Sequence, residues 1–182
     1  MEIKLARTKQ RYEKEFLVKL RLALLCTFIA FSPVAAAAQT APVNQIVGTW
    51  RMISAQIDPE GANTPAYGQR PLGLLVFTPD MHFVEVLTDA DTPRFASNAR
   101  GGGTDTENRE AMARNIGFFG TYTVDENGAF SGNRVEASTF PNWVGGTRTT
   151  QELTLTVVGD RMHESFQRPE GTKIVIEWAR VK

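Results

Sequence analysis

From Gly48 onward the chain runs as short segments rich in Val, Ile, Thr and aromatic residues, each stopped by residues that make the backbone turn. Thr78-Pro79-Asp80-Met81, Asp125-Glu126-Asn127-Gly128, Gly159-Asp160 and Arg168-Pro169-Glu170-Gly171 place Pro, Asn, Asp and Gly where tight turns need a preset or positive φ. The segments between them have the composition that suits a pleated surface. The punctuation predicts eight strands, near Gly48–Asp58, Leu72–Thr78, His82–Thr88, Phe118–Val124, Ala129–Ser138, Thr147–Val158, Arg161–Gln167 and Thr172–Val181. Antiparallel strands joined mostly by hairpins are expected to close into an up-and-down barrel, because closure removes the exposed edges. At eight strands the interior is either filled with side chains or holds one small ligand.

One stretch departs from the strand pattern. Asp105–Ile116 reads as a short helix, opened by a capping box at Thr104-x-x-Glu107. Glu110 and Arg114 share one of its faces, Met112 and Ile116 another. The lead-in, Asp89–Gly103, is a long Gly-rich loop of the kind that serves as a lid or binding loop. The expected fold is therefore all-β: an eight-stranded antiparallel barrel with one short helix covering an opening.

The first 38 residues read as an address. Seven basic residues precede the apolar run Leu22–Phe31, and Ser32-Pro33-Val34 leads into a string of alanines. A basic region, an apolar region and an Ala-x-Ala site describe a secretory signal peptide, with cleavage after Ala38. The apolar run is short for a bilayer span before Pro33 interrupts it; retention as an N-terminal anchor is the other reading. The expected organisation is a signal peptide over 1–38, a linker over 39–45 and one domain over 46–182, in a periplasmic or secreted protein. Cys26, the chain's single cysteine, falls in the leader. A cleaved chain would carry no thiol nucleophile, disulfide or Cys-rich metal site.

Charge excludes another class. The whole chain balances 20 Lys and Arg against 20 Asp and Glu, but the leader takes seven of the former and three of the latter. The remainder is mildly acidic, its arginines are scattered, and no basic stripe exists for nucleic acid. No P-loop, dinucleotide fingerprint or Gly-x-Ser-x-Gly elbow is present, so no cofactor is expected. Two histidines, His82 and His163, lie 81 positions apart without a nearby carboxylate motif, so no metal is expected either.

Five stretches taken together resemble the bacterial and fungal lipocalin-like domain family. They are Val47-Gly-Thr-Trp-Arg-Met-Ile-Ser54, Pro71-Leu-Gly-Leu-Leu-Val-Phe-Thr-Pro-Asp80, Pro93-Arg-Phe-Ala-Ser97, Phe119-Gly-Thr-Tyr-Thr-Val-Asp125 and Phe140-Pro-Asn-Trp-Val-Gly145. The resemblance runs from about Ile46 to Val181. It implies a lipocalin-like barrel, with Gly48-x-Trp50 packing under its floor, and says little about chemistry. Two positions depart from the pattern: Asn133-Arg134 stands where members often carry histidine, and Met81 where a glycine is common.

Candidate chemistry comes from strand alternation. Glu85 shares a face with Phe83 and Leu87; pointing inward, it would have a raised pKa and could act as a general acid or base. Arg134 and Glu136 alternate with Phe130, so an inward face would bury an ion pair beside an aromatic. His163 alternates with Arg161 and Ser165, which favours solvent, though it could lean over a barrel mouth. The candidate catalytic set is Glu85, Arg134, Glu136 and His163. The candidate ligand contacts are Phe83, Phe119, Tyr122 and Trp143, with Arg94 from the covering loop. Three readings follow: an exported barrel binding a small hydrophobic, including aromatic, molecule in its interior; a cofactor-independent lyase, isomerase or cyclase in the same cavity; or an assembly protein with a solid barrel. Oligomeric state is left open.

Overall fold

A computed structural model describes residues 43–182; the leader and the first residues of the expected linker lie outside them. Ten strands and one α-helix follow one another: β1 (Gly48–Ile57), β2 (Thr64–Pro65), β3 (Pro71–Phe77), β4 (His82–Asp89), α1 (Asp105–Arg114), β5 (Asn115–Val124), β6 (Phe130–Ser138), β7 (Thr147–Thr149), β8 (Leu153–Val158), β9 (Arg161–Gln167) and β10 (Lys173–Arg180). The expected all-β barrel is present, with more strands than eight. β2 is a two-residue addition paired to Gln56 and Ile57. The segment expected as one strand over Thr147–Val158 is two, because Glu152 accepts hydrogen bonds from the Thr149 backbone N–H (2.8 Å) and hydroxyl (2.7 Å), closing a turn between β7 and β8.

The sheet runs β7-β6-β5-β4-β3-β1-β10-β9-β8, all neighbours antiparallel. The first and last long strands, β1 and β10, pair along most of their length, from Trp50 opposite Arg180 to Ile57 opposite Ile174. Closure is incomplete between β7 and β8, which the Thr149–Glu152 turn joins without a ladder. The barrel is thus nearly closed, with its seam between consecutive strands.

Two bulges decide which side chains of β6 face in. Thr123 pairs with Gly132 but Val124 with Phe130, leaving Ser131 as the extra residue; Phe119 pairs with Ala137 but Gly120 with Val135, leaving Glu136 extra. A one-residue insertion reverses the alternation. Phe130 is buried, yet after the bulge it is Asn133 and Val135 that point inward. Arg134 and Glu136, expected to share Phe130's face, are exposed on the outside. The second bulge needs Gly120: a Cβ there would lie 1.9 Å from the Arg134 carbonyl oxygen.

One end of the barrel is sealed. Trp50 is fully buried, donates its indole N–H to the Ile46 carbonyl (2.8 Å) and carries the Arg180 guanidinium 4.0 Å over its ring. Residues 43–47 cross that end, with the Gln45 N–H on the Gly128 carbonyl (2.9 Å) and the Asn44 amide on the Tyr122 hydroxyl (2.8 Å). Phe77, Phe83, Phe130, Met162 and Trp178 join Trp50 in filling the interior, and Tyr122 packs at the sealed end. Burying such rings is the largest favourable term a small barrel has.

The other end carries the long connections. Helix α1 starts at the expected capping box, with the Glu107 N–H on the Thr104 hydroxyl (3.3 Å) and the Thr104 N–H on the Glu107 carboxylate (2.7 Å). It ends at Arg114, two residues short of expectation, because Asn115 takes extended backbone angles and opens β5. None of its residues is buried. It is tied to the rim by Arg114, whose guanidinium donates to the buried Asp89 carboxylate (3.0 Å). Among the described residues, no helix is long and apolar enough to cross a membrane.

Candidate functional site

The barrel's mouth is where its strands stop being filled. Between α1, the β6–β7 connection and the turn after β9 lies a cavity of about 400 Å³, lined among others by Tyr67, Met112, Ile116, Phe140, Trp143 and Phe166. A neighbouring hollow of about 460 Å³ lies on the β7 side and shares Trp143, Phe166, Arg168 and Pro169 with it. Strand number left the interior either filled with side chains or holding one small ligand. Aromatic side chains occupy the lower barrel, and the open space is at the rim.

Below the mouth is a narrow slot of about 20 Å³, which shares Tyr67, Trp143 and Phe166 with the larger cavity. Glu85 on β4 and Glu164 on β9 line it. Both point inward by the alternation of their strands: Phe83, Glu85 and Leu87 are buried in turn, as are Met162 and Glu164. Glu85 is 5% exposed, between Leu75 and Phe118 on the flanking strands; Glu164 is 7% exposed, between Leu155 and Ile176.

The two carboxyls differ in their partners. Glu164 accepts a hydrogen bond from the Trp178 indole N–H at 2.9 Å. Burial still pushes it up to about 7, against the pull of that hydrogen bond and of Arg148. Glu85 accepts no hydrogen bond and forms no ion pair among the described residues. Burial, reinforced by Glu164, holds it well above the usual carboxylate range despite Arg148. The Tyr67 phenol is likewise pushed up by burial.

Arg148 roofs the slot. Its guanidinium lies 4.7 Å from the Trp143 ring centre, 4.8 Å from Phe166 and 5.5 Å from Phe118. Trp143 stands edge-on to Phe118 (5.2 Å), Phe140 (5.9 Å) and Phe166 (6.1 Å). Edge-to-face rings and a cation over their faces hold this cluster together without an ion pair.

Of the residues picked out in the sequence, Glu85 and Trp143 meet here. Phe83 is buried one layer below, against Phe77 and Phe118. Tyr122 is buried at the sealed end, where its hydroxyl donates to the Thr78 carbonyl (2.7 Å), so it belongs to the floor. Phe119 is 48% exposed on the outer face, because Phe118 takes the inward position beside it. Arg94 is exposed in the loop after β4. His163 faces out, bonded to Glu177 at 2.6 Å, since Met162 and Glu164 occupy the inward positions of β9. Arg134 and Glu136 are outside for the reason given by the β6 bulges. Among the described residues, no three His, Cys, Asp or Glu side chains gather where they could hold a metal ion.

Glu164 was legible in principle. Met162-x-Glu164-x-Phe166 repeats the pattern of Phe83-x-Glu85-x-Leu87. Arg148 and Tyr67 carried no such signal, because each reaches the slot from a connection or a three-residue strand.

A family model described as a lipocalin-like domain matches residues 47–177, from the first strand to within three residues of the end of the last. The chain belongs to the lipocalin-like domain family. Its Gly48-x-Trp50 closes the barrel floor, as the resemblance implied. A search of curated proteins gave no match. The lipocalin-like fold suits a small ligand at an open end, and here that end is the rim bounded by α1, Tyr67, Trp143 and Phe166.

Proposed function

We propose that the protein binds a small, mostly apolar molecule, aromatic compounds included, at the mouth of the barrel, and that it does so outside the cytoplasm. The observation that carries this reading is the 400 Å³ cavity walled by Trp143, Phe166, Phe140, Ile116 and Met112, under a helix that buries none of its own residues. Cavities of this size and lining suit small ligands, with a few polar groups setting orientation. Export rests on the basic, apolar and Ala-rich order of the first 38 residues.

Native mass spectrometry of the purified exported protein is expected to show a co-purified small molecule. Titration with the neutral dye N-phenyl-1-naphthylamine should quench tryptophan fluorescence, and Trp143→Ala should weaken dye binding about tenfold. A protein that carries no extra mass and binds no dye would remove the reading. Export is tested separately: protein from the periplasm or medium should begin at Gln39, and a cytoplasmic location would overturn it.

A second reading has its own support. Glu85 and Glu164 share one slot, both raised by burial, Glu164 to about 7, and two buried carboxyls with different partners are how an acid and a base are paired in a cofactor-free proton-transfer enzyme. Turnover of the co-purified compound that disappears in Glu164→Gln, with dye binding unchanged, is the expected sign. Unchanged turnover in that variant would refute it.

A further inference from the structure

We infer that the ligand is a neutral molecule ending in a carbonyl or equivalent hydrogen-bond acceptor, and that this tip enters the slot under Arg148 and is held by Glu85. The inference rests on the mouth being a ligand site. It begins with size. A 20 Å³ slot holds about one water-sized group, so a ligand whose body fills the mouth can send down only a one- or two-atom tip.

The chemistry of the walls then chooses the tip. Glu85 is buried between Leu75 and Phe118, with no hydrogen bond and no ion pair among the described residues. An ionised carboxylate so placed would have no hydrogen-bond donor and only a guanidinium shared with Glu164, so burial favours the acid, which offers an O–H. Arg148 supplies N–H donors from the roof. One acceptor atom would satisfy both.

A carboxylate tip is a poorer fit. Glu164, kept partly ionised by the Trp178 N–H and by Arg148, already balances the single guanidinium, and a second anion would lie beside it. An alkyl tip would leave the Glu85 hydroxyl without a partner. A cationic tip would meet Arg148.

Three naphthalenes of matched shape test this on the purified full chain by isothermal titration: 2-acetonaphthone, 2-ethylnaphthalene and 2-naphthoate. The ketone is expected to bind at least tenfold tighter than the other two. Glu85→Gln should keep that preference, since an amide N–H replaces the acid O–H. Glu85→Leu should abolish it while leaving the hydrocarbon within about twofold, which also shows that the variant folds. Equal binding of ketone and hydrocarbon, tightest binding of the naphthoate, or a ketone preference that survives Glu85→Leu would overturn the inference. If none of the three binds while N-phenyl-1-naphthylamine does, this inference falls and the mouth remains a binding site; if the dye also fails, both fall.

Discussion

Keeping Glu85 and Glu164 inside the barrel costs the folded state free energy, and the cost depends on pH. A carboxyl whose folded pKa lies above its unfolded value holds its proton in the native state after the unfolded chain has lost it, so stability falls as pH rises between the two values. For Glu164 the window runs from 4.5, the ordinary value, to about 7. Wild type is therefore expected to lose stability relative to Glu164→Gln across that window, by on the order of 3 kcal/mol, in urea denaturation at each pH. A difference that is flat from pH 4 to 7 would show that Glu164 is not buried as described. Glu85→Leu replaces an unpartnered buried carboxyl with an apolar side chain and is expected to stabilise the protein by about 1–3 kcal/mol at pH 7. Met81 carries backbone strain, and unlike Asp58 and Asn63, which also hold positive φ, it has no side chain suited to that region. It holds φ at 65°, where an L side chain crowds its own carbonyl. Met81→Gly is expected to raise stability by about 1 kcal/mol, because the Tyr122 N–H on the Met81 carbonyl is a backbone bond and survives the change.

Among the elements, α1 is held by few contacts and β6 by many. The helix buries no side chain, so its capping box and the Arg114–Asp89 pair carry most of its attachment. Thr104→Ala removes the cap and should cost the helix about 1 kcal/mol. Hydrogen exchange of residues 105–114 would then rise roughly fivefold while β3 and β4 stay protected. Equal loss of protection in the barrel would mean that the helix is part of the cooperative core. In β6, Gly120→Ala drives a Cβ into the Arg134 carbonyl and is expected to destabilise strongly, with the bulge as the first casualty. Loss of that bulge would slip Ala137 and Ser138 by one residue against Phe119 and Phe118, so the variant should expose apolar surface to a dye before the rest of the barrel melts.

Across the whole molecule, packing is concentrated at the sealed floor and the open space lies at the mouth. Aromatic rings packed against Trp50 and Trp178 make one end solid, while the seam between β7 and β8 lies at the same rim as the cavity. β7 has three residues and one laddered neighbour, and it carries Arg148. Among the strands of the nine-strand path, exchange is therefore expected to be fastest in β7 and β8 and slowest in β1, β3 and β10. Protection of β7 should rise when a mouth ligand binds, and a ligand that protects the floor instead would place its site at the wrong end.

Turn chemistry, strand composition and alternation gave the class of fold and the helix with its capping box and marked Glu85 as a candidate inward carboxyl, because each depends on spacing along a few neighbouring residues; the Trp50 floor came from the family resemblance. The same local logic placed Arg134 and Glu136 on Phe130's face and failed there. A bulge is set by how β5 and β6 meet, and Gly120 acquires its role only when the Arg134 carbonyl is beside it. Arg148, Tyr67 and Glu164 come together from positions 67, 148 and 164, and nothing in the spacing of those residues announces a shared slot. Whether the interior was hollow or filled was likewise a matter of volume, decided by how side chains from opposite walls interdigitate, which only the folded barrel determines.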